Sequence, residues 1–297
     1  MTALNPVIDT MKRSTPYIAV MQGRLSPPEN GLHQSFPQGN WRNEFALAAQ
    51  AGLSGIEWLF DVYVDEANPI ASAHGVDEIR ELSERAGVSV HSLCADYFKD
   101  RPFLRTTNAD KAEKTQKLNW LLSRCNAAGI RRIVLPFLDQ SRIESEDDFI
   151  EAVSVLRTVL PAAEEHNVEI HLETSLAPQR LKLLLEECSH QFLRVTYDSG
   201  NSCSLGYLIH EEFAAYGDRV GSVHVKDRKR GAGTVPLGTG DTDLPAFFRT
   251  LAARCYGGEY VMEIARSEPG QELRWITKHR AWVQRQIEVA SERAGAE

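Results

Sequence analysis

The chain is poor in the features that direct a protein to a membrane, to nucleic acid or outside the cell. No apolar run approaches the roughly 20 residues that span a bilayer, and no charge block, low-complexity tract or sharp linker interrupts the 297 residues. Basic residues are the minority: 33 Lys and Arg stand against 41 Asp and Glu, a formal charge of −8. A nucleic-acid binder would show a basic face, so no such partner is expected. An anionic small molecule needs only a local cationic pocket. Cysteine is sparse: Cys94, Cys125, Cys188, Cys203 and Cys255 are odd in number, scattered, and form no CxxC pair. That argues against a disulfide framework and for a reducing compartment. Residues 1–15 carry neither the apolar core nor the cleavage pattern of a signal peptide. A cytoplasmic protein without membrane contact is expected.

What remains is an ordinary soluble composition, 42% hydrophobic and 25% charged, with strand-like and helix-like runs alternating from start to end. Short apolar runs rich in Val and Ile lie at 17–21, 55–60, 88–93, 132–136, 168–173, 193–198, 221–224 and 260–263. Buried parallel strands read this way, without strict alternation. Stretches of helical period lie at 43–51, 76–86, 110–128, 146–166 and 244–255, and Gly52, Gly87 and Gly129 stand where a helix end takes a left-handed residue. Eight such units predict an α/β fold, a single (β/α)8 TIM barrel, rather than an open sheet. One domain over 1–297 is expected, with 1–15 and 291–297 as flexible ends.

In such barrels chemistry sits at the C-terminal ends of the strands. Four of the predicted strands end in Glu173, Asp198, His224 and Glu263. A lone buried Glu is most simply a salt-bridge partner, and a lone His a core histidine bonded to a carbonyl. Two glutamates on different strands, with Asp198 and His224 between them, would repel each other without a cation. Three carboxylates and one imidazole suit one divalent ion, Mn²⁺, Mg²⁺, Co²⁺ or Zn²⁺. His171 lies two residues before Glu173, shares its strand face and is a candidate to orient a ligand.

Further rim residues are candidates to bind substrate. His91 is read as facing it. Glu57 reads equally as an acceptor of a substrate hydroxyl or as a buried structural acid. Gln22 and Arg24 follow the first strand and can meet a substrate oxygen or phosphate, with a structural use of Arg24 just as open. Lys226, two residues after His224, is the best placed of the cations in 226–230, and Arg228 is next. The glycine-rich stretch 231–241 has no lysine placed as in a P-loop and reads as a mobile or tightly turned cover.

Taken together, these residues resemble the xylose-isomerase-like TIM-barrel superfamily, in its sugar-phosphate isomerase and epimerase branch, which includes ketose 3-epimerases and hexulose-6-phosphate isomerases. The resemblance covers nearly the whole chain. It is most specific in His224-Val225-Lys226-Asp227 followed by Pro236-Leu237-Gly238-Thr239-Gly240-Asp241, which looks like that family's HxKD…LGxGxxD pattern. It implies that Glu173, Asp198, His224 and Glu263 bind a divalent metal, commonly manganese (Mn²⁺), Mg²⁺ or Co²⁺, and that Glu173 and Glu263 are the acid/base pair. Those epimerases often carry His three residues after the Asp ligand, where this chain has Asn201, so 199–207 is a place where specificity can differ. Endonuclease IV shares the barrel but needs more His ligands than are suitably placed here.

The implied chemistry removes the weakly acidic C–H proton next to a carbonyl, and a divalent cation supports the resulting enediolate as a Lewis acid. The expected activity is that of a metal-dependent isomerase or epimerase of a ketose or ketose phosphate, in carbohydrate metabolism. Two other readings stay open: a metal-dependent dehydratase of a keto-sugar or keto-inositol, and a non-catalytic sugar-binding barrel. The expected partner is a sugar or sugar phosphate. Barrels of this kind often associate as homo-oligomers, a state the sequence leaves open.

Overall fold

The computed structural model describes residues 15–29 and 31–295. Eight parallel strands close into a barrel. In chain order they are β1 (Ile18–Met21), β2 (Gly55–Leu59), β3 (Ser89–Cys94), β4 (Arg132–Phe137), β5 (Glu169–Thr174), β6 (Leu193–Asp198), β7 (Val220–Val225) and β8 (Tyr260–Met262). Each pairs with its neighbours in sequence, and β1 closes on β8 through Ile18–Tyr260, Ala19–Val261 and Val20–Met262. Because all eight strands run the same way, every strand-end residue falls on one rim.

The strands hold because both of their faces are covered. Met21, Leu59, Cys94 and Val134 form a separate buried cluster, while a larger cluster joins strand residues such as Ile56, Leu93 and Leu172 to helix residues such as Phe45, Leu121 and Leu156. Burial of this kind stabilises by roughly 25 cal/mol per Å² of apolar surface. Helices Trp41–Gln50, Ala73–Ala86, Asn108–Ala128, Glu146–Glu165 and Leu244–Ala253 fall on the predicted stretches. Their ends follow local chemistry. Ser72, Thr107 and Ser145 accept from the first-turn amides of their helices, and Gly87 and Gly129 cap with φ of 64° and 79°.

Three segments bear comparison with the sequence reading. Within 199–207, Ser199–Leu205 is a short helix, followed by the helix Ile209–Tyr216. The glycine-rich stretch after β7 is tightly turned, with a small antiparallel hairpin of Asp227–Arg228 and Thr234–Val235. The last helix, Glu272–Ala294, extends into the segment read as a flexible end. Of the other expected end, 1–15, all but Thr15 lies outside the described residues. No helix among the described residues is long and apolar enough to cross a membrane.

Candidate metal centre

Glu173 is the penultimate residue of β5, Asp198 ends β6, His224 is the penultimate residue of β7, and Glu263 follows β8 directly. All four are buried. Each offers one ligand atom within 4.8 Å of the others. His224 Nδ1 is the focus. Glu263 Oε2 lies 3.0 Å from it, Glu173 Oε2 3.9 Å and Asp198 Oδ2 4.0 Å. Glu263 thus makes the close approach to Nδ1, with Glu173 and Asp198 about an ångström farther out.

The second oxygen of each carboxylate is fixed by protein. Asp198 Oδ1 accepts from the amides of Gly200 and Asn201, both at 2.8 Å, and so caps the short helix after β6. Glu173 Oε1 accepts from Asn201 Nδ2 at 2.7 Å. Glu263 Oε1 accepts from Lys226 Nζ at 2.6 Å, and the same ammonium lies 3.2 Å from Asp198 Oδ2. Three carboxylates thus each turn one oxygen toward a single imidazole nitrogen, a donor set suited to a hard or borderline divalent ion. These residues fit such an ion.

Burial and charge divide the cluster's protons. Burial, with Asp198 and Glu263 nearby, pushes the Glu173 carboxyl up to about 8. Glu263 is equally buried, but Lys226 and His224 hold it well below the usual carboxylate range. Burial alone would lower His224, yet the surrounding carboxylates, Glu57 foremost, raise it well above the usual imidazole value. Lys226 is raised in the same way by Asp198 and Glu263. An apolar enclosure has thus gathered acids whose charge asks for cations.

The other predicted residues divide. Asn201 is at the centre: beyond its bond to Glu173, its Oδ1 accepts from Arg228 Nη1 at 2.9 Å. The remaining Arg228 donors face Ala232 O. Gln22 is buried at the rim, its Oε1 accepting from Leu59 N–H at 2.9 Å, while Nε2 has no hydrogen-bond partner among the described residues. Arg24 is part of the wall: it donates to Ile264 O, His33 O and Gln34 Oε1 and ties the loop after β1 to the end of β8. Glu57 is fully buried and bonds His224 rather than lining an open cleft.

Two histidine expectations are corrected. β3 continues to Cys94, so His91 lies three residues below the rim. Its Nδ1 meets Glu259 Oε1 at 2.8 Å, and its ring stacks on Tyr17, both residues that precede strands and mark the opposite end of the barrel. It therefore lies away from the rim where Glu173, Asp198, His224 and Glu263 meet. His171 does share the inner side of β5 with Glu173 but sits one layer lower. It bonds Ser222 Oγ at 2.8 Å and Glu169 Oε2 at 2.9 Å and orients no member of the site.

Three further residues support the site, none of them among the predicted site residues. Ser199 Oγ donates to Lys226 O and accepts from Lys226 N–H, fastening the end of β7 to β6. Gly200 makes room for the lysine, since a Cβ there would come within 2.8 Å of Lys226 Cγ. Asp227 Oδ2 accepts from the amides of Gly238, Thr239 and Gly240, and Oδ1 from that of Thr242, which winds the glycine-rich turn around one carboxylate. The Asp-Ser-Gly run at a strand end is a helix-cap signature and was the available signal for the first two.

The chain is thus a closed eight-stranded parallel barrel with an acidic, histidine-bearing cluster at its C-terminal rim. A family model described as xylose isomerase-like TIM barrel matches residues 45–286, and the chain belongs to that family. It is 22% identical over 276 residues to an L-ribulose-5-phosphate 3-epimerase of Shigella flexneri, covering 88% of this chain and 95% of that protein. Among solved structures, an L-ribulose 3-epimerase superposes with a TM-score of 0.76 at 15% identity, over 95% of this chain and 98% of that one. The zinc-bound IolI protein superposes with a TM-score of 0.74 at 18% identity, over 92% and 99%.

Proposed function

We propose that this chain is a divalent-metal-dependent epimerase or isomerase of a ketose or ketose phosphate, acting at the carbon next to the carbonyl. The observation that carries the reading is the convergence of Glu173, Asp198 and Glu263 on His224 Nδ1. These four residues would hold the ion. When bound, it supplies Lewis-acid support for charge that develops on the sugar oxygens.

The protein's own groups do the rest. Glu173 and Glu263 enter the rim from β5 and β8, which are not neighbours in the barrel. One carboxylate takes the proton from one face of the sugar carbon and the other returns one to the opposite face. Asn201 holds Glu173 in place, and Lys226 holds Glu263. Gln22 Nε2 is the donor assigned to a substrate hydroxyl, and the Arg228 guanidinium braces Asn201. The names of the relatives favour 3-epimerisation of a ketose.

The test is incubation of the purified protein with a panel of ketoses and ketose phosphates in D₂O, with and without added Mn²⁺, Co²⁺ or Mg²⁺. Metal-dependent deuterium uptake without change of carbon skeleton supports the reading. Product lighter by one water points instead to dehydration. No uptake on any sugar rules out proton abstraction from the panel.

A further inference from the structure

The contact between Glu57 and His224 crosses the barrel. β2 and β7 are not neighbours, since β1 and β8 stand between them. Glu57 Oε1 nevertheless meets His224 Nε2 at 2.8 Å, with both side chains fully buried. The other oxygen, Oε2, has no hydrogen-bond partner among the described residues. Enclosing a carboxylate with a single partner is a poor way to stabilise a fold. Burying an ionised group costs several kcal/mol, and an apolar pair of similar volume is often as stable or more so. Something other than packing must account for this acid.

We infer that Glu57 is a positioning residue: it holds His224 Nε2–H and thereby keeps Nδ1 turned to the three rim carboxylates as a metal-binding nitrogen. An imidazole has two nitrogens, and the partner of one fixes the role of the other. Here Nε2 is claimed from below by Glu57, while Nδ1 faces Glu263, Glu173 and Asp198. A ring flip would exchange them and place Nε2–H among the ligands. The assignment rests on the metal-binding reading above and adds to it a residue outside the donor set. It also explains why a glutamate stands in the middle of the otherwise apolar strand β2, Gly55–Leu59.

Zn²⁺ serves as the probe because it is diamagnetic. Two measurements are made on the full chain: Zn²⁺ affinity by competition with a chromophoric chelator, and ¹⁵N spectra of the histidine side chains in the zinc-loaded protein. In the wild type, His224 should show a protonated Nε2 with its proton far downfield and a zinc-shifted Nδ1. Glu57→Gln and Glu57→Ala should weaken Zn²⁺ binding by about 10–100-fold, with Glu57→Asp in between. Glu57→Gln should also move the Nε2 proton upfield, a signature that a merely structural role would not give. Circular dichroism checks that each variant folds. Variants that fold and bind Zn²⁺ as the wild type does overturn the role of Glu57 and leave the metal site intact. So does zinc on Nε2 in the wild type, a result that needs no variant. A wild type that binds no Zn²⁺, Mn²⁺ or Co²⁺ overturns both the metal reading and this one.

Discussion

Replacing either rim glutamate should split the two half-reactions of epimerisation. In Glu173→Gln the side chain keeps its shape, and its Oε1 can still accept from Asn201 Nδ2, now at 2.7 Å from the carboxylate. What is lost is the ability to take or give a proton on that face of the sugar. Glu263→Gln loses the same ability on the other face, and also one negative partner of Lys226. Net epimerisation needs both groups, so each variant should fall by about 10²–10⁴-fold, or about 3–5.5 kcal/mol of barrel-site activation. Exchange of the C–H with solvent needs only one. With matched metal loading, each variant should still wash deuterium into one epimer at a rate within about tenfold of the wild type, and not into the other. The two variants should retain opposite epimers. Proton NMR of each purified epimer in D₂O follows this directly. If both variants lose exchange with the same epimer, or both still epimerise at the wild-type rate, the two-carboxylate assignment is wrong.

Other outcomes follow from the same geometry. A metal ion must displace the protons held on Glu173, whose carboxyl is pushed up to about 8, and on His224, raised well above its usual value. Affinity should therefore rise with pH below about 8, where the Glu173 proton is still held, by about tenfold per pH unit for each proton released, and calorimetry in buffers of different ionisation enthalpy counts those protons. Asp227→Ala removes the acceptor of four backbone amides; a loss of about 2–4 kcal/mol, read from denaturant unfolding, should accompany new proteolytic cleavage within 236–242. Burial lowers His279 from 6.5 to about 4, and its Nε2 has no hydrogen-bond partner among the described residues. The unfolded chain binds that proton more tightly, so its contribution is complete above pH 6.5 and fades as pH falls toward 4, by about 1–3 kcal/mol after screening. His279→Phe should flatten the stability profile in that window.

The barrel and the donor set were legible because both rest on local signals. A run such as 193–198 is apolar, β-branched and closed by an acid, and it became β6 at the same bounds. Once eight such strands are parallel, their ends must share a rim, so Glu173, Asp198, His224 and Glu263 could be brought together without coordinates. What stayed hidden depends on depth. His91, His171 and Glu57 are all polar residues within strands, and sequence alone does not say which layer of the barrel each occupies. The stagger of the strands decides it, placing His91 beside Glu259, His171 beside Ser222 and Glu57 beneath His224. The ring of bonds around Asp227 was hidden for a related reason. Glycine announces a turn, but not the carboxylate around which it winds.

The most direct measurement is anomalous diffraction from a crystal of the protein soaked in Mn²⁺. One strong peak per chain, between His224 Nδ1 and the carboxylates of Glu173, Asp198 and Glu263, is the predicted result. A map with no peak there at saturating Mn²⁺ would contradict it.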